Sequence, residues 1–243
     1  MQTTRRFAGS KEMNRTKKLA GSLVAVLAVL AVGIAPAAQA ASTPTSVSVY
    51  PPEAHPYGHT YTQWAVLYLK RWLTSPANRV AENDTTGHLC ADRQSGPVWF
   101  LASDVGGTDV RSCTVPAGKA LLVPVAYGEC STLEGNGTTF AALNKCDQGY
   151  VAALRAVNIT VDGVPMTGLL TSYMFANLLF TFTYTPRRNL FGADVSGTSK
   201  SAGNMSFVIL KPLAAGRHTV DMSFESYLTP MNGEVVYHLK VRG

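Results

Sequence analysis

Apolar positions recur along the chain with distinct spacings, and each spacing predicts a different kind of element. Between Thr60 and Thr74, Tyr61, Trp64 or Ala65, Tyr68 and Trp72 return every three or four residues, with Val66, Leu69 and Leu73 widening the stripe. That period puts them on one face of an α-helix. Lys70 and Arg71 suit the negative end of its dipole, and Ser75-Pro76 stops it. Two short runs, Pro97–Ala102 and Lys119–Ala126, are almost wholly apolar, as expected of strands buried on both faces. Between them Val110–Val115 leads into the turn Pro116-Ala117-Gly118, so residues 110–126 read as a hairpin. A second, short helix is predicted over Gln148–Val157. Asn158–Val161 then meets Asp162-Gly163, a dipeptide suited to a tight hairpin turn.

Further strands are predicted over 177–184, 204–211, 217–226 and 234–242. Val220, Met222 and Phe224 share a face, as do Val235, Tyr237, Leu239 and Val241. If these last two strands pair, the register with Asp221 opposite Lys240 is preferred. Placing Asp221 opposite His238 would set Glu225 against Glu234, a like-charge pair. His218 and His238 then read as surface histidines on the sheet. About eight to ten short strands separated by turns predict a mainly β fold, a β-sandwich or jelly roll, with one N-terminal helix and a second short helix.

Residues 1–40 lack this patterning and read as a secretory signal peptide. A basic segment precedes the apolar run Leu19–Val32, and Ala38-Gln39-Ala40 supplies small residues before a cut after Ala40. Met13 begins an equally good leader. The apolar run is short for a membrane span, and no other stretch is long and apolar enough to be one. Residues 41–58, rich in Ser, Thr and Pro, read as an extended arm with one short strand at Ser46–Tyr50, and 59–243 as a single domain. The Gly192–Asn204 stretch reads as a loop.

Composition changes meaning once the leader is set aside. The net charge of +6 suggests an acidic partner, but Arg5, Arg6, Lys11, Arg15, Lys17 and Lys18 lie in the leader against a single acid, Glu12. No basic stripe is left elsewhere for nucleic acid. An apolar content of 46% excludes general disorder.

All four cysteines, Cys90, Cys113, Cys130 and Cys146, follow the leader, so two disulfides are expected in an oxidising compartment. Three connectivities are open. The sequential one closes loops of about 23 and 16 residues, and the Cys113–Cys130 alternative fits poorly with a hairpin over 110–126. A four-cysteine zinc site would call for Cys-x-x-Cys spacing, which is absent.

The segments Gly96–Leu101, Cys113–Leu121, Gly128-Glu129-Cys130-Ser131, Pro212–Val220 and Val236–Val241 together resemble a family of exported bacterial and archaeal proteins with no assigned activity. The resemblance spans most of residues 60–242. It implies a common fold and export and carries no catalytic residues across. Val115–Lys119 is also similar to jelly-roll proteins of the cupin type, without their metal-binding His-x-His and following Glu.

The familiar nucleophile, metalloprotease and nucleotide-loop motifs are missing. His55, His59 and Glu53 sit in the arm, where Pro56 and Gly58 prevent the helix that would align two histidines on a metal. No metal or cofactor is expected. The segment Tyr127–Glu134 is the best candidate site, a buried strand opening into a loop tethered by Cys130. Glu129 with Glu134 or Asp104 are candidate catalytic acids, with Asp109 nearby; Tyr127, Glu129 and Trp99 are candidate binding residues. Against these stand a core role for Trp99 and a salt bridge from Glu129 to Arg111 or Arg155. Two functions follow: an extracellular module binding a glycan, wall polymer or protein, or an extracellular hydrolase built on the acids around Glu129. A calcium-stabilised module is less favoured, since no spaced EF-hand loop is present.

Overall fold

The computed structural model describes residues 47–104, 106–184, 197–228 and 232–243. The leader, residues 41–46 of the arm and residues 192–196 of the predicted loop lie outside them. The helix expected from the apolar stripe is α1 (Tyr61–Leu73). Thr60 and Gln63 close its N-terminus reciprocally: Gln63 N–H donates to Thr60 Oγ1 at 3.1 Å and Thr60 N–H to Gln63 Oε1 at 2.8 Å. Strands follow at β1 (Val98–Phe100), β2 (Gly107–Pro116) and β3 (Ala120–Ser131). After α2 (Phe140–Ala153) come β4 (Leu154–Val161), β5 (Val164–Pro165), β6 (Met174–Tyr184), β7 (Gly197–Leu210), β8 (Gly216–Ser226) and β9 (Gly233–Arg242).

The strands form two sheets, ordered β1-β3-β7-β6 and β2-β9-β8-β4-β5. Their facing sides make a sandwich core in which Leu121, Val123 and Val208 of the first sheet meet Ile159, Val220, Tyr237 and Leu239 of the second. The other side of the four-stranded sheet is covered by α1, whose Tyr61, Trp64, Tyr68 and Leu69 pack on Leu122, Phe207 and Ile209. Because β3 and β7 lie between these two cores, both of their faces are apolar, as the runs in the sequence require. The arm joins the same sheet at one bridge, Val49 to Leu210.

Four expectations are corrected. First, residues 110–126 are not a hairpin: β2 pairs in parallel with β9, and the chain crosses at Ala117-Gly118 to the other sheet. The reason lies in the burial patterns, since β2 alternates and faces one core while β3 is buried on both sides. Second, the second helix lies earlier than expected. Thr139 caps it, accepting from Ala142 N–H at 3.2 Å, and the alternation of Val157, Ile159 and Val161 commits residues from 154 onward to a strand.

Third, β8 and β9 pair with Val220 opposite Tyr237 and Met222 opposite Val235, which sets Arg217 against Lys240 and Asp221 against Val236. Matching the inward apolar sets outweighs one favourable surface charge pair. His238 is exposed, whereas His218 is buried at the sheet end, its Nδ1 2.7 Å from Asp162 Oδ2. Fourth, residues 197–204 belong to β7 rather than to a loop.

The disulfides pair sequentially. Cys90–Cys113, Cα atoms 5.9 Å apart, ties the segment before β1 to β2, and Cys130–Cys146, 6.1 Å, ties the end of β3 to α2. Loops of this size are each stabilised by about 3 kcal/mol through restriction of the unfolded chain.

Candidate functional site

A cavity of about 230 Å³ follows the free edge of β3. That edge exists because β1 is only three residues long and pairs with Ala120–Leu122, leaving Val125–Glu129 without a strand on that side. Pro124 brings no N–H to the ladder, and the register shifts by one residue between Pro124 and Ala126. Side chains on both sides of the strand therefore reach the same hollow: Trp72 and Tyr127 beside α1, Tyr150 of α2 and Phe224 of β8 on the sandwich side.

Three carboxylic acids line it, Asp104, Glu129 and Glu134, and a fourth, Asp147, lies just behind Asn204. Glu129 is 7% exposed and Asp104 8%. Glu129 Oε2 accepts from Ser201 Oγ, and Glu134 Oε2 accepts from Ser131 Oγ at 2.7 Å. The Glu134 carboxyl lies close enough to Glu129 to oppose its ionisation. Burial first, then the Glu134 carboxyl, pushes Glu129 up to about 9, with the Ser201 hydroxyl opposing. Burial likewise raises Asp147 to about 6 against the Asn204 amide, which donates to it at 2.6 Å. Asp104 is raised by burial too, opposed by the Gly106 N–H at 3.2 Å and by the charge of Arg111. Gly233 makes room for it: a Cβ there would overlap the Asp104 carboxylate and lie 2.7 Å from the Phe224 ring.

Two buried clusters hold this edge in place. Arg111 is fully buried and donates to the Ala102 and Ser103 carbonyls at 3.0 and 3.1 Å, to the Glu82 carbonyl at 3.0 Å and to Asp109 Oδ2 at 2.7 Å. It thereby fixes the backbone just before Asp104. Glu82 accepts from the hydroxyls of Tyr68 at 3.0 Å and Tyr127 at 3.1 Å, which sets the Tyr127 ring on the wall. Trp72 meets that ring edge-on, centroids 5.1 Å apart.

Of the candidates from the sequence, Tyr127, Glu129, Glu134 and Asp104 line the one cavity. Trp99 does not: it packs in the sandwich core, 8% exposed. Asp109 turns away to Arg111, and Arg155 pairs at 3.7 Å with Glu225, so neither Arg111 nor Arg155 bridges Glu129. His59 lies edge-on to Trp64 and is not among the residues lining the cavity. Trp72, Tyr150, Asn204 and Phe224 escaped sequence reading. Each sits in a helix or strand whose pattern is explained by packing alone, and only the short reach of β1 exposes them.

The acids of the cavity are held by serine hydroxyls and by backbone and side-chain amides. The serines bonded to them, Ser131 and Ser201, are fully buried and carry no accessible nucleophile. What the cavity offers is flat aromatic surface on two sides and oxygen acceptors between them.

No family description matches the chain, and no curated protein does. Among solved structures, partial likeness is found to a cysteine protease inhibitor, EhICP2, from Entamoeba histolytica, at 9% identity over 60% of this chain and 95% of that one, TM-score 0.23. PbICP-C in complex with falcipain-2 matches at 12% identity over 60% and 100%, TM-score 0.25. Amebosin matches at 9% over 61% and 100%, TM-score 0.21. At such TM-scores these likenesses carry no argument about this chain.

Proposed function

We propose that the protein is an exported binding module that holds one unit of an extracellular glycan in the cavity along β3. The observation that carries this reading is the pairing of aromatic walls with buried acceptors: Trp72 and Tyr127 on one side, Tyr150 and Phe224 on the other, acids between. A sugar ring presents apolar C–H faces to such walls and hydroxyl donors to such acceptors. A volume of about 230 Å³ suits one ring rather than a chain segment. Tyr227, 72% exposed, precedes the cavity-lining Leu228 in the chain and offers further surface to a longer polymer. Export is supported by the leader pattern of residues 1–40 and by two disulfides, which persist in oxidising compartments. The resemblance to an exported bacterial and archaeal family agrees with it.

The test is retention of the mature protein on a glycan array and on purified wall polymers, against Tyr150→Ala and Trp72→Ala. Binding that both variants weaken at least tenfold is expected. Absence of retention on every glycan and polymer would overturn the reading.

One observation favours hydrolysis as a second reading: Glu129, buried and raised to about 9, lines the same cavity as the Glu134 carboxyl. On that reading, soluble product is released from the same polymers, and Glu129→Gln abolishes the release while leaving retention measurable.

A further inference from the structure

The cavity has acids but no base. Among the described residues, no lysine, arginine or histidine lines it, and none stands in an ion pair with Asp104, Glu129, Glu134 or Asp147. Asp104 Oδ2 and Glu129 Oε1 are buried and receive no amide, hydroxyl or cationic donor from the protein, although both side chains belong to the cavity wall. Buried oxygens of this kind are costly unless a donor reaches them. The surrounding surface is aromatic, and the faces of Trp72 and Tyr127 attract cations.

We infer that the unit taken by this cavity carries a free amino group, its ammonium set against Asp104 and Glu129 and its ring against Trp72 and Tyr127. The inference rests on the glycan reading above and deepens it: the ligand is an amino sugar that is not N-acetylated. An ammonium has three N–H donors, which matches the unpartnered oxygens of two acids, whereas an acetamido group brings one donor and no charge. The described residues gather no group of three acid, histidine or cysteine side chains that could hold a metal ion. In the empty cavity burial disfavours the charge of both acids, and Glu129 keeps its proton. Arrival of an ammonium reverses that preference, and the displaced proton leaves to solvent. Capture is an exchange of one positive charge for another.

Calorimetric titration of the mature protein at pH 6, in two buffers of different ionisation enthalpy, tests this with four probes: a chitosan tetrasaccharide, its fully N-acetylated counterpart, cyclohexylamine and cyclohexanol. The chitosan oligosaccharide is expected to bind at least tenfold more tightly than the acetylated one, with net release of about one proton. Glu129→Gln and Asp104→Asn should each lose that preference. Because Glu129→Gln keeps the shape of the protonated acid, a melting curve at or above the wild type's shows that any loss of binding is not loss of fold. Equal binding of both oligosaccharides, or binding without proton release, overturns the amine inference and leaves the glycan reading standing. Binding of cyclohexylamine but neither oligosaccharide supports the amine chemistry and overturns the glycan reading. No binding by any probe overturns both.

Discussion

Replacing Glu129 by glutamine should stabilise this protein, and by an amount that grows with pH. The folded state holds the Glu129 proton up to about pH 9, whereas the unfolded chain releases it near the ordinary value of 4.5. Between those values the folded protein binds more protons than the unfolded one, so stability falls as pH rises, by about 1.4 kcal/mol per pH unit. At pH 7 the accumulated loss is on the order of 3 kcal/mol. Glutamine is isosteric with the protonated acid: its carbonyl oxygen accepts from Ser201 as the acid does, and its amide takes the place of the protonated oxygen. The variant therefore keeps the contacts and lacks the pH-dependent loss. Urea or thermal unfolding of both proteins from pH 4 to pH 9, disulfides intact, should give coincident curves at pH 4 and a Tm gap of roughly 6–12 °C at pH 7. Curves that stay parallel across that range would falsify the argument, since they would mean that Glu129 ionises in the folded protein as it does in the unfolded one.

Three other outcomes follow from the same geometry. Removing the second disulfide with Cys130→Ser and Cys146→Ser should cost about 3 kcal/mol by chemical denaturation and weaken any ligand bound in the cavity, because α2 carries Tyr150 and Asp147. Arg111→Met should destabilise by about 3–5 kcal/mol, since it takes the donor from Asp109 and from the buried carbonyls of Glu82 and Ser103; a melting point within 2 °C or so of wild type would contradict the clamp. Gly233→Ala should destabilise by about 1–3 kcal/mol and displace Asp104, whereas Gly163→Ala, with open space around its Cβ, meets only the backbone penalty of its φ of 78°.

The elements with a strong period are legible directly in the residues. Helix α1 follows from its stripe and caps, β8 and β9 from their alternation, and the burial of β3 on both faces from its unbroken apolar run. The partner of each strand is less legible. β2 and β3 are adjacent in the chain, with a turn between them, yet lie in different sheets, and only the contrast between an alternating and a fully apolar strand distinguishes the two arrangements. Half of the site was visible as Tyr127, Glu129, Glu134 and Asp104. The other half comes from α1, α2, β7 and β8, brought to the cavity by contacts between residues far apart in sequence, such as Asn204 with Asp147 and Phe224 beside Gly233. Local pattern carries no record of those.

Acids without a basic partner gather around the cavity. Elsewhere several acids meet a base, Asp92 with Arg79, Asp109 with Arg111, Glu225 with Arg155 and Asp162 with His218, while buried Glu82, next to the cavity wall, is held by the Tyr68 and Tyr127 hydroxyls. Around the cavity, Asp104, Glu129, Glu134 and Asp147 accept only from hydroxyls and amides, and three of them, Asp104, Glu129 and Asp147, hold a buried oxygen with no protein donor. A core optimised for stability would replace such groups with apolar side chains of similar volume at a gain. Local departures from the rules of good packing concentrate where a protein acts on something else. The penalty at Glu129 and the absence of a base beside it are then one feature: the counter-charge that completes this edge of β3 arrives with the ligand.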